Sequence, residues 1–400
     1  MFRAFRYREG RYRELPDVIP PIPAILSALP EEDGFRVEFY NTSGVKIGVL
    51  GSDIQQNPVL RIEFTAEEFG PGEFRMELSA APGFSIGYLT QVRVYPFFSL
   101  KPWFTGFIKN IPQNRKPGEP LIYEGYGYYA QLARVLVNGT FTAPDAALLW
   151  MQIINNYLVG NTGIGFSWLW IGNTGWNTLT EINWDYVEAG TAGEDLAKLS
   201  GNFVFGVNEL AKGFFKQVFT TAKNHWWEGI HFTACDIVLN TDNLVNRVYV
   251  KGGETDAQGS NILTTRENGD SITAYGLHEK VIDLPSAMEV ADAETFGDYQ
   301  LALYKDPRYT GTVSGLNLKL LAGLRPVVVN GKARVTLYDG TEYQIQVRRV
   351  KYTISSEGIL ADVELGELEA PIEGPFLEIA RKIAAETRIN DRRAVEAATP

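Results

Sequence analysis

The chain has 400 residues, more than one hydrophobic core usually serves, so two or more domains are expected. With 45% apolar and 21% charged residues it reads as an ordinary globular protein, and its most apolar stretch, around Ala146 to Ile154 and broken by Gln152, is about half a membrane span. A formal charge of −11 argues against a nucleic-acid surface as the main task, and the one cysteine, Cys235, excludes an internal disulfide.

The start departs from the acidic balance. In MFRAFRYREGRYRE, Arg3, Arg6, Arg8, Arg11 and Arg13 outweigh Glu9 and Glu14 by +3, which leaves −14 for the rest. The expected role is an arm that docks on an acidic neighbour; stacking of Phe2, Phe5, Tyr7 and Tyr12 on single-stranded nucleic acid is the alternative. IPPIP (Ile19 to Pro23) follows as a stiff extended linker, and residues 1–33 are read as arm plus linker. No secretory signal pattern is seen.

From Gly34 to Gly127 the pattern is β. FRVEFY, VKIGVL, LRIEF, FRMEL, VRVYPFF, WFTGFIKNI and LIYEGYGYY are short runs of period-two character between Gly, Pro and Asn. In LRIEF, Leu60, Ile62 and Phe64 are expected to face a core, with Arg61 and Glu63 in water.

Residues 128–219 read as a small α+β domain. Thr142 with Asp145 forms a capping box, and Ala147, Met151, Ile154 and Leu158 make a helical stripe stopped by Gly160 and Asn161. After a Trp-rich stretch a second box, Thr191 with Glu194, opens a helix that ends at Gly201. Phe203, Phe205 and Val207 then alternate into a hairpin whose return strand starts at Phe214 and Phe215.

From Val245 strand character resumes, with VNRVYVKGG, SITAYGL, KVIDL, RPVVV, ARVTLY, YQIQVRRVKYTIS and GILADVELG read as strands. One helix is expected from Ala291 to Tyr304, closed before Asp306-Pro307. Residues 371–400 are read as an amphipathic helix, with Phe376, Ile379 and Ile383 on one side, and a polar tail. Two distant stretches, 93–127 and 333–366, share an order of strand, loop, strand, loop, strand and nearly the same length.

Chemistry is sparse. No phosphate loop and no dinucleotide fingerprint exists. His225, His231 and Cys235 share strand parity and are zinc-ligand types, but an extended chain would spread them over roughly 33 Å, so ordinary histidines are the expectation. Trp168, Trp170, Trp176 and Trp184 beside Glu181 and Asp185 suit either a core or a carbohydrate-binding or glycan-cleaving groove. No catalytic, cofactor-binding or metal-ligating residue is assigned.

Against that background GNFVFGVNELAKGFF (Gly201 to Phe215), after its capped helix, resembles the insertion domain of bacteriophage tail hub proteins, the baseplate hub family of long-tailed phages and related injection machines. VRVYPFFSLKPWFTGFIKNI is similar to the first-barrel strands of that family and YEGYGYYAQLARVLV to the exit from the barrel. NRVYVKGG, YGLHEKVID, the 291–304 helix and VRRVKYTISSEGILADVELG resemble its second barrel. The likeness covers roughly residues 34–370 in order and pattern, with no single specific motif.

The resemblance implies a mainly β fold with an inserted α+β domain: a first antiparallel β-barrel (tube) domain at 34–127, the insertion at 128–219 and a related second barrel at 220–370. It implies a non-enzymatic homotrimer whose barrels form a pseudo-sixfold ring in the virion tail tip, assembled in the host cytoplasm. Its partners would be a tail-tube ring on one side and a spike or fibre on the other. DNA would pass through the lumen, repelled rather than bound by an acidic chain. No cofactor is implied. The aromatic loop with Tyr95, Phe97, Phe98 and Trp103 and the helix with Phe376, Ile379 and Ile383 are the expected subunit or partner contacts.

Overall fold

The computed structural model describes residues 34–366, except residue 56 and the segments 113–118, 143–144, 172–180, 201–202, 219–220, 255–260, 285–288 and 322–323. The basic arm and the helix bearing Phe376, Ile379 and Ile383 lie outside the described residues.

Seven strands come first: β1 (Phe35–Tyr40), β2 (Lys46–Gly51), β3 (Val59–Glu67), β4 (Gly70–Leu78), β5 (Gln91–Pro96), β6 (Phe104–Asn110) and β7 (Leu121–Gly127). A 3-10 segment, Tyr128–Arg134, leads to β8 (Leu136–Thr142), α1 (Ala146–Ile153), a π turn (Ile154–Leu158) and α2 (Val159–Thr162). Then come β9 (Gly165–Ile171), β10 (Glu181–Glu188), α3 (Ala189–Leu199), β11 (Phe203–Val207) and β12 (Lys212–Gln217). The remainder is β13 (Ala222–Trp227), β14 (Ala234–Asn240), β15 (Arg247–Glu254), β16 (Asn261–Glu267), α4 (Gly269–Tyr275), β17 (Glu279–Asp283) and α5 (Val290–Tyr304). It closes with β18 (Arg308–Asn317), β19 (Lys332–Thr336), β20 (Glu342–Ser355) and β21 (Gly358–Leu365).

The fold is β-rich α+β, as expected. Among the described residues β1–β7, β13, β14 and β18–β21 join in one 13-stranded sheet, ordered β14-β18-β21-β20-β3-β4-β7-β6-β5-β1-β2, with β19 on β20 and β13 on β19. Pairing is antiparallel except β13 with β19 in that sheet, and β9 with β12 and β15 with β17 in smaller ones. The stretches of shared layout are both antiparallel meanders, β5-β6-β7 and β19-β20-β21.

Strand β20 is long enough to do two jobs on one edge. Its first half pairs with β19 and its second half with β3, Tyr352 opposite Phe64 and Ile354 opposite Ile62. These four side chains are buried, and the Phe64 and Tyr352 rings stack at 4.9 Å. Phe104 and Phe74 extend the ring cluster, and the Val327 amide donates to the Tyr352 hydroxyl at 2.9 Å. The other face is wet and ionic. Lys351 and Arg61 both hold Glu63, at 2.8 and 2.6 Å, Arg75 reaches Glu77 and Glu124, and Arg349 reaches Glu67, Glu73 and Glu364.

A second core lies under α1, α3 and the β11–β12 hairpin, and the buried residues of β15, β16 and α5 belong to it. The hairpin is apolar on both faces: all five residues of β11 are buried. Phe205 meets Trp150 edge-on at 5.2 Å, while Val204 and Phe214 pack with Val218 on the other side. Gly193 of α3 lets the helix lie on Phe205, since a Cβ there would collide with the ring. The two cores meet at the β3–β4 turn, where the Val207 amide donates to the Phe69 carbonyl at 2.9 Å and Asn330 donates to the Glu68 carbonyl at 2.7 Å. Gly70, at φ 121, permits the close crossing because a Cβ there would overlap the Val207 carbonyl oxygen.

Several local expectations are corrected. Leu60 is 50% exposed, because β3 and β4 slip register between Val59 and Arg61 and the extra residue turns outward. Asp145, not Thr142, caps α1, accepting from the Leu148 amide at 3.0 Å, while Thr142 ends β8. Helix α1 does not stop at Gly160; the helical path runs on through the π turn and α2 to Gly163, at φ 72. Thr191 is inside α3, which starts directly from β10 with the Ala189 amide bonded to the Val135 carbonyl, so no side chain caps it. SITAYGL is helical rather than extended: Asn268 accepts from the Ser271 amide at 2.9 Å and Gly276 ends α4 at φ 82. Helix α5, by contrast, falls within one residue of the expected start and ends before Asp306-Pro307.

Two outcomes follow from the β3–β20 seam. Phe64→Ala is expected to lower unfolding stability by about 3–5 kcal/mol, and Tyr352→Phe by about 1–3 kcal/mol through the stranded Val327 amide, both read from urea denaturation. At Glu63, burial alone would raise the carboxyl pKa, but the hydrogen bond and charge of Lys351, with Arg61, hold it below its ordinary 4.5. The sign follows: this contribution is complete above 4.5 and is lost as pH falls through the lower folded value. Stability measured from pH 6 to 3 should therefore fall less steeply in Glu63→Gln than in the native chain; parallel curves would exclude Glu63 as a contributor.

Candidate functional site

The segment joining β5 to β6 carries the sequence-expected contact residues. Pro96 ends β5 and a tight turn follows, closed by the Ser99 amide donating to the Pro96 carbonyl at 3.0 Å. Phe97 and Phe98 occupy its two centres at φ 53 and 49, a left-handed conformation that β-hairpin twist favours and that side chains resist. The Ser99 hydroxyl donates to the Lys101 carbonyl at 2.9 Å, and the Trp103 amide returns to the Val94 carbonyl at 2.8 Å.

The four aromatic residues divide by direction. Phe97 and Trp103 are buried, their rings 5.9 Å apart, and Trp103 reaches the seam at 5.4 Å from Tyr352. Tyr95 is buried too, with the Arg36 guanidinium 4.5 Å from its ring centre; burial first, then the charge of Glu38, pushes its hydroxyl pKa up. These three side chains are thus spent inside their own chain. Phe98 is 38% exposed and lies against the backbone of Gly34, where a Cβ would strike its ring.

Sequence reasoning passed over Leu100, which is 99% exposed at the tip of the loop. The available signal was its place between Ser99 and Lys101, beyond the point where Pro96 ends the alternation. The β11–β12 turn is next to this loop: Thr105 donates to the Glu209 carbonyl at 2.6 Å, and Lys101 and Lys216 act on the Glu209 carboxyl against the upward push of burial. Leu210 of that turn is itself 38% exposed.

The other candidate groups do not converge. Trp184 is 2% exposed, meets Phe141 at 5.6 Å and donates its indole N–H to Asp195 at 3.1 Å, so it is core and no sugar platform. Asp185 is exposed on the strand next to it, while Trp176 and the side chains of Trp168, Trp170 and Glu181 lie outside what is described. His225 is on β13, Cys235 on β14, and His231 lies between them, its Nδ1 accepting from the Trp227 amide at 3.1 Å over the Trp227 ring. Among the described residues no group of three or more His, Cys, Asp and Glu side chains is placed to hold a metal ion, and no helix is long and apolar enough to cross a membrane.

A scan against protein-family models finds no match, and neither does a search of the curated proteins. Solved structures do match. The fold is similar to that of the tail protein from Neisseria meningitidis MC58, with a TM-score of 0.62 at 12% identity over 84% of this chain and 97% of that one. It is similar to the prophage MuSo2 43 kDa tail protein from Shewanella oneidensis, with a TM-score of 0.59 at 11% identity over 84% and 99%. A third likeness is to the prophage tail protein gp18 from Listeria monocytogenes EGD-e, with a TM-score of 0.53 at 13% identity over 88% and 100%. At these identities the likeness is one of fold, and the fold of this chain is one found in phage tail proteins.

Proposed function

We propose that the chain is a non-enzymatic structural protein of a phage tail or a related injection machine, acting as its tail-tip or baseplate hub. The observation that carries this reading is the extent of the fold likeness: it takes in 84–88% of this chain and 97–100% of three tail proteins, so the whole architecture is shared rather than one module. In this role three chains form a pseudo-sixfold ring in the virion, assembled in the host cytoplasm, between a tail-tube ring and a distal spike or fibre. The division into a first tube domain at 34–127, an insertion at 128–219 and a second tube domain at 220–370 belongs to the same reading. The paired meanders β5-β6-β7 and β19-β20-β21 support it.

The wet face of β20, β3 and β4 suits a channel that passes DNA without gripping it. Each of Arg349, Lys351, Arg61 and Arg75 lies within 4 Å of a carboxylate, so phosphates meet no uncompensated row of cations there. For contacts between subunits or with a neighbouring ring, Phe98 and Leu100 are the members of the aromatic loop that face outward, and Phe376, Ile379 and Ile383 remain candidates outside the described residues.

Light scattering across protein concentration and salt is expected to give three chain masses. A single chain mass throughout would overturn the self-assembling trimer. Leu100→Asp is expected to lower the mass while moving folding stability by no more than about 0.5 kcal/mol, as a fully exposed position should. If that variant keeps the native mass, the loop tip is not in the subunit interface.

A further inference from the structure

The apolar face of the large sheet continues past the core that it covers. Cys235–Val313, Ile237–Gly311 and Leu239–Tyr309 are cross-strand pairs of β14 and β18, and residues two apart on a strand share a side, so all six lie on one face. At one end of this row Val313 is buried in the core, with Cys235 and Ile237 packed against it at partial burial. Two residues further along the cover runs out: Leu239 is 55% and Tyr309 45% exposed, and the Tyr309 ring rests edge-on against Tyr343 at 5.0 Å. Among the described residues β14 ends the sheet, so this bared patch borders an open edge. The chain leaves the sheet beside it. Leu365 pairs with Gly311, the Gly366 amide donates to the Gln346 carbonyl at 2.9 Å, and Gly366 lies against Thr310. The point of exit is thus next to Tyr309 and two strands from Leu239, roughly 10 Å at the usual strand spacing.

The sequence after the exit supplies a matching cover. Glu367 to Glu373 make a tether that spans at most about 25 Å. Beyond it Gly374-Pro375 opens the segment in which Phe376, Ile379, Ala380 and Ile383 fall on one helical side, with Glu378, Arg381 and Lys382 opposite. A helix of this length draws its stability from packing such a stripe on an apolar surface, and Leu239 and Tyr309 present one within reach of the tether. A tether so short also gives a local concentration on the order of millimolar, which favours the chain's own patch over that of a separate molecule. We propose that residues 374–387 dock as an amphipathic helix on the end of the β14–β18 face of their own chain, with Phe376, Ile379 and Ile383 covering Leu239 and Tyr309. The inference stands without the tail role argued above, and it places within one chain the three residues considered there for contacts between chains.

Limited trypsin digestion of the full chain, read by mass spectrometry, tests the docking. Cleavage after Arg381, Lys382 and Arg388 is expected to be slow in the native chain and roughly tenfold faster in Leu239→Asp, because proteolysis tracks the undocked population. Should Leu239→Asp not fold, Ile379→Ser removes the same contact from the other side and is expected to speed cleavage likewise. Dilution and Leu100→Asp, both of which act on association between chains, are expected to leave the protection unchanged. A single chain mass with a protected segment would remove the trimer and support the docking. Protection lost on dilution or in Leu100→Asp would place the segment on another chain and overturn docking within one chain. Native cleavage as fast as in Ile379→Ser, or an unchanged rate in folded Leu239→Asp, would overturn the contact itself.

Discussion

The hairpin of β3 and β4 is the constraint on which the rest of the molecule depends. Its middle is bonded to β20, where Phe64 and Tyr352 stack, so the early and late halves of the chain share one sheet and one core. Its tip, from Glu68 to Gly70, accepts a backbone hydrogen bond from Val207 of β11 and one from the side-chain amide of Asn330. The large sheet, the β11–β12 hairpin and the late strands are therefore positioned by this one hairpin. Cores packed at native density do not deform smoothly, so a change at this hairpin is transmitted rather than absorbed.

Much of this was legible in the sequence, and what was not has a physical reason. Period-two alternation located β1–β7 and the inward faces of Ile62 and Phe64, because alternation is a property of the chain itself. Leu60 escaped it because a bulge is set by the partner strand and leaves no mark on composition. The pairing of β3 with β20 was equally out of reach, since register across so long a separation is a tertiary outcome. Helix α4 carried its signals, Asn268 before it and Gly276 after it, but in seven residues they compete with the β-leaning Ile272, Thr273 and Tyr275.

The aromatic loop shows the same limit at the candidate site. Composition identified it as a place of concentrated apolar surface, and that surface exists. Which rings face water is decided by the left-handed turn at Phe97 and Phe98, which sends Phe97 inward, lays Phe98 over Gly34 and leaves Leu100 outermost. Consecutive aromatic residues at positive φ cost of order 1–3 kcal/mol each, so ring placement is maintained there against the preference of the backbone.

The seam also has a consequence in time. Strand β3 is complete at Glu67, but the residues that cover its free edge begin at Arg349, nearly the full described length later. At synthesis rates of about 5–20 residues per second, the β3–β4 hairpin waits roughly 15–60 s on the ribosome with an open edge and exposed aromatic rings. The β11–β12 hairpin emerges during that wait and supplies Val207, whose amide bonds the hairpin tip. The β11–β12 hairpin thus gives the tip of the unfinished sheet a contact within its own chain, while the β3 edge itself stays open until β20 is made.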